Sequence, residues 1–130
     1  MHELSIALNI VDICTEEARK TGAGKVSRVE VEIGSMAGVE YEALNFSWDV
    51  AVSNTIVEGA PLVIHKVQAS GRCNNCGHEF PIEDFMTPCP SCGEFLFEVV
   101  KGKELLVKSI SVESAADGGN PELISKDIIP

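Results

Sequence analysis

The sequence is most informative at first in what it lacks. No apolar run approaches the roughly 18–20 residues that cross a bilayer, and the start Met1-His2-Glu3-Leu4 has neither the cationic opening nor the apolar stretch of a secretory signal. Membrane insertion and export are therefore not expected, and the chain should stay in the cytoplasm. Basic residues are scarce, ten against twenty acidic ones, giving a net charge of −10. That sign repels phosphate backbones, and the few Lys and Arg form no patch. Catalytic signatures are missing too: there is no Gly-rich phosphate loop, no nucleophile elbow and no helical His-Glu-x-x-His. The expectation is a protein that is not an enzyme.

What is present suits a folded chain of 130 residues. Hydrophobic residues make up 45%, enough to bury a core, so wholesale disorder is excluded. Over residues 4–20, Leu4, Ala7, Leu8, Val11, Cys14 and Ala18 recur at helical spacing, and Gly22 and Gly24 follow its end. Residues 26–33 alternate, with Val29, Val31 and Ile33 on one side and Arg28, Glu30 and Glu32 on the other, as in a half-buried strand. A second helix is expected over 40–53, where Tyr41, Leu44, Trp48 and Ala51 share a face. Strands are expected at 62–69, the second holding His65 as an ordinary strand residue, and at 104–113.

Residues 70–99 change character, with four cysteines, three prolines and three glycines. This stretch holds too little apolar material for a core of its own and needs a staple. The order helix, strand, helix, strand, cysteine module, strand implies an α+β fold. Two helices cover a three-stranded sheet, and a zinc-ribbon-like module is inserted between the second and third strands. The expected domains are 1–69 plus 103–113, and 70–102. Residues 114–130 read as a flexible tail.

Cys73-x-x-Cys76-Gly77 and Cys89-x-x-Cys92-Gly93 are matching knuckles separated by twelve residues. A two-residue spacer lets both thiolates of one turn reach one ion, and two such turns supply the four sulfurs of a tetrahedral Zn(II) site. With four thiolates the site leaves no position open for water, so its role is structural. The odd count of five cysteines argues against a disulfide framework. Cys14 falls on the helix's apolar stripe and reads as a buried thiol. His78, two residues past Cys76, reads as an exposed loop histidine, with a pH-responsive partner of the zinc site as the sharper alternative.

His2 stands directly after the amino terminus. The α-amine, the His2 amide nitrogen and the imidazole Nδ1 can close adjacent five- and six-membered chelate rings around one ion. Planar nitrogen donors suit Ni(II) or Cu(II) better than Zn(II) or Mg(II).

The start Met1-His2-Glu3-Leu4-Ser5, the strand end Glu32-Ile33-Gly34, the segment Gly38-Val39-Glu40 and the paired Cys-x-x-Cys motifs together resemble the HypA/HybF family of hydrogenase maturation factors, over about residues 1–113. The resemblance implies a nickel metallochaperone that carries Ni(II) as transient cargo to the large-subunit precursor of [NiFe]-hydrogenase. It implies a nucleotide-hydrolysing partner, HypB, and in some bacteria service to urease. It implies nickel ligands at the Met1 amine and His2, with Glu3 beside them and Glu40 where the family places an acidic side chain near the metal. The zinc ligands would be Cys73, Cys76, Cys89 and Cys92. Gly93 stands where some members carry a histidine, which weakens any zinc–histidine exchange. The competing readings are a zinc-ribbon interaction module for nucleic acid or transcription machinery, and a metalloenzyme or redox protein.

Overall fold

The structure, a computed structural model, describes residues 3–113 and 120–128, with residues 120–123 described by their backbone. Helix α1 (Glu3–Thr21) leads into β1 (Lys25–Gly34), α2 (Tyr41–Val52) and β2 (Leu62–Val67). Strands β3 (Ser70–Cys73), β4 (Glu79–Pro81) and β5 (Phe97–Lys101) follow, then β6 (Leu105–Glu113) and β7 (Asn120–Asp127). The strands form two sheets, β2-β1-β6-β7 and β4-β3-β5.

The α+β architecture with two helices and an inserted cysteine lobe is as expected. Strand β1 pairs in parallel with β2, and α2 supplies the long crossover that parallel pairing requires. It pairs antiparallel with β6. Val29, Val31 and Ile33 are fully buried on the helix-covered side, whereas Arg28 is exposed and Glu30 and Glu32 are partly exposed on the other. Leu44, Trp48 and Ala51 bury the expected face of α2, and the Trp48 indole N–H donates to the Ala60 carbonyl at 2.8 Å. That bond satisfies the one polar atom of a large core side chain.

Two expectations need correction. On α1 the buried stripe is Ile6, Ala7, Ile10, Val11, Cys14 and Ala18, while Leu4 and Leu8 are 44% and 46% exposed. The helix packs against both the sheet and α2, so its buried arc is centred between the Ile6/Ile10 and Val11/Ala18 rows. Leu4 and Leu8 fall on its flank. The second correction concerns the end of the chain. Instead of a tail wholly without structure after a three-stranded sheet, residues 120–127 add a fourth strand antiparallel to β6, and Ile128 is buried in the main core. The rest of the expected tail, 114–119 and 129–130, lies outside the described residues.

The cysteine lobe has its own small core of Ala69, Cys73, Phe80, Ile82 and Cys89. Its root is tightly seated. A Cβ on Gly34 would overlap the Gly102 carbonyl, and one on Gly102, whose φ is +112°, would overlap Ala69. The Ala69 N–H donates to Ser35 Oγ at 2.9 Å, and the Met36 N–H donates to the Gly102 carbonyl at 2.8 Å. The Met36 side chain packs against the lobe's core.

Candidate metal centres

In the cysteine lobe each knuckle closes by the same backbone turn. The Gly77 N–H donates to the Cys73 carbonyl at 3.0 Å, and the Gly93 N–H donates to the Cys89 carbonyl at 2.8 Å. Both glycines hold positive φ, 76° and 81°, a conformation that a side chain disfavours. The Asn75 and Cys76 amides point at Cys73 Sγ, 3.4 and 3.5 Å away. The first cysteine of each pair is buried and the second exposed.

The four sulfurs lie within 4.8 Å of one another, with Cys73 Sγ 3.5 Å from Cys92 Sγ and Cys76 Sγ 3.6 Å from Cys89 Sγ. A tetrahedron with metal–sulfur bonds of about 2.3 Å has edges of about 3.8 Å, so the donor set fits one tetrahedral ion. The cysteines are free thiols rather than disulfides. The Cys76 amide, with partial burial opposing it, holds the Cys73 thiol below its ordinary value. The His78 amide pulls on Cys76, yet partial burial and the neighbouring sulfurs push that thiol up to about 11. Four thiolates at this spacing repel one another, and a dication is what offsets the repulsion. Among the described residues this is the one cluster of His, Cys, Asp and Glu with metal-ligand spacing.

His78 gives its carbonyl to the Cys73 N–H at 2.9 Å and stacks its exposed ring near Phe80, with centroids 6.1 Å apart. It stands outside the four-sulfur cluster. His65 does more than an ordinary strand residue: its Nε2 lies 2.8 Å from Glu30 Oε1, and the Ser109 hydroxyl donates to Glu30 Oε2 at 2.9 Å. Cys14 is fully buried, and burial, with the Glu17 charge adding to it, pushes its thiol up to about 12.

At the other end of the chain, Met1 and His2 lie outside the described residues. Glu3 and Glu40, thirty-seven residues apart, meet: Glu3 Oε2 accepts the Glu40 backbone N–H at 3.1 Å. Glu40 is the N-cap of α2, and its side chain makes no cap hydrogen bond. The segment 34–40 runs from the root of the cysteine lobe to this contact. Sequence reasoning missed that path because Ser35 and Met36 carry no motif. Only the crowding of Gly34 and Gly38 around them marks a tight loop.

A helix-covered mixed sheet carrying a four-cysteine lobe defines a two-lobed metal-binding protein. The family model described as "Hydrogenase/urease nickel incorporation, metallochaperone, hypA" matches residues 1–112. The chain belongs to this HypA family, the nickel metallochaperones of hydrogenase maturation, and carries the four-cysteine, zinc-ribbon-like metal site. It is 45% identical over 113 residues to the hydrogenase maturation factor HypA of Chlorobaculum parvum, covering 87% of this chain and all of that one. It is 46% identical over 112 residues to that of Geotalea daltonii, covering 86% and 99%. The solution structure of the Ni metallochaperone HypA from Helicobacter pylori shares the fold, with a TM-score of 0.57 at 23% identity over 97% of this chain and 100% of that one. Among the described residues no helix is long and apolar enough to cross a membrane.

Proposed function

We propose that the chain binds Ni(II) through the Met1 amine and His2, with Glu3 and Glu40 at the rim of that site. It delivers the ion to the large-subunit precursor of [NiFe]-hydrogenase, working with HypB in the cytoplasm. The observation that carries this reading is the Glu3–Glu40 contact within a nickel-incorporation family. It ties the residue next to His2 to the start of α2, so an ion on the terminal nitrogens would have carboxylates close by.

Lability gives the mechanism. A terminal chelate with few protein constraints takes up nickel and is dismantled by protonation or by competing donors. Closed thiolate coordination is not, so the cysteine lobe holds Zn(II) as architecture over residues 70–102 and does no catalysis. The domain of 1–69 plus 103–113, to which 120–128 add a strand and a core residue, carries the cargo site. Neither nucleic acid nor membrane is a partner: across 70–99 five acidic residues stand against Arg72 alone.

The test compares the native chain with His2→Ala and with a chain carrying one extra residue ahead of Met1. Each is titrated with Ni(II), following the absorption of planar nickel and the zinc content. The signal should vanish in both variants at unchanged zinc. Equal uptake by all three chains would overturn the terminal site.

A further inference from the structure

Strand β7 lies beyond residue 112, where the family match ends, and 113 aligned residues cover the whole of the Chlorobaculum parvum relative. What it covers is the edge of β6. That strand, Leu105-Leu106-Val107-Lys108-Ser109-Ile110-Ser111-Val112-Glu113, has nine residues, no proline or glycine, and one basic residue. A long, apolar edge of this kind is a template for another strand.

As the outer edge, β7 is a poor template. Pro121 offers no N–H, Ser125 sits at φ +50°, and the register shifts between Val107 and Ser109, where β7 carries one extra residue. Lys126 and Asp127 are exposed along it. The strand is fastened at its far end, where Ile128 is buried and its N–H donates to the Leu105 carbonyl at 2.9 Å. Between α1 and β7 lies an open surface cleft of about 220 Å³ lined by Asn9, Asp12, Ile13, Lys126 and Asp127.

We propose that residues 120–128 are an intramolecular cap on the β6 edge, and that the strand this edge takes when uncapped is β6 of a second copy. Self-pairing of antiparallel strands satisfies two-fold symmetry. A register centred on Ser109 sets Leu106 opposite Val112 and Lys108 opposite Ile110, with no like charges facing. The cap therefore keeps this chain monomeric by occupying the place of its own twin.

The test is the molar mass in solution of the zinc-loaded full chain, of a chain ending at Glu113, and of the full chain with Ile128→Asp, which loosens the cap without shortening it. The full chain should be a monomer. The shortened chain should double its mass with unchanged helix content and zinc, and return to monomer when a peptide of residues 114–130 is added. Ile128→Asp should show an intermediate, concentration-dependent mass. A folded monomeric shortened chain overturns the proposal, as does a dimeric full chain. So does a shortened chain that fails to fold while Ile128→Asp stays monomeric with fast-exchanging β6 amides, since β7 would then be an integral strand.

Discussion

The Glu3 carboxylate accepts the backbone N–H of Glu40 at 3.1 Å, so the first residue of α1 is tied to the mouth of α2. The acceptor also sits where the exposed amides of a helix start favour negative charge. The contact leaves the Glu40 side chain exposed.

Removing that tether should weaken nickel binding without abolishing it. Glu3→Ala is expected to raise the nickel Kd roughly five- to tenfold, about 1 kcal/mol, and Glu3→Gln, whose amide oxygen still accepts, by much less. Calorimetric titration of the untagged chain reads the difference. Equal affinities for the two variants would mean that charge, not position, is what Glu3 supplies.

Stripping the metal from the cysteine lobe should leave the main core standing. Zinc binding to such knuckles contributes on the order of 10 kcal/mol to their order, but Trp48, the only tryptophan, lies in the core of the helices and main sheet. Chelator treatment should speed amide exchange over residues 73–97 and leave Trp48 emission in place. Simultaneous loss of both signals would show one cooperative unit.

Cys14 should resist thiol reagents in the folded, metal-loaded chain. Its thiol, raised to about 12, stays protonated across the physiological range, and its surface is wholly covered. Alkylation is expected only at the rate of unfolding, followed by mass spectrometry. Cys14→Ser places a hydroxyl in the same apolar site and should cost about 1–3 kcal/mol in denaturant unfolding.

The Glu30 network predicts acid sensitivity. The hydrogen bonds from His65 and Ser109, with Arg28 nearby, hold the Glu30 carboxyl below its ordinary value of 4.5. A depressed native value makes the contribution full above the unfolded value and lost as pH falls through the native one. Glu30→Gln should therefore be less stable than the parent at neutral pH, by no more than about 1 kcal/mol for a partly exposed pair. That difference should fade below the ordinary carboxylate range. Thermal unfolding as a function of pH measures it.

Much of the fold could be read where one face meets water and the other the core. The alternation of Val29, Val31 and Ile33 and the spacing of Leu44, Trp48 and Ala51 report such a boundary directly. The paired cysteines were legible because their spacing answers to bond lengths alone. The burial of α1 was misread because both α2 and the sheet cover it, which widens the buried arc to take in Ile6 and Ile10. Strand β7 was illegible for another reason. Pro121, Ser125 and its charged end are turn and edge residues, and only pairing with β6 makes a strand of them. The meeting of Glu3 with Glu40 is a tertiary fact with no local trace.

The close seating of Gly34, Gly102 and Ala69 bears on engineering this family. The cysteine lobe is not a cassette to be cut at 70 and 102 and moved to another scaffold. Its floor is completed by Met36, and its entering strand is held by Ser35, both contributed from elsewhere in the chain. A transplanted lobe would arrive with an open socket, and a chimera between relatives should exchange residues 34–38 together with the lobe.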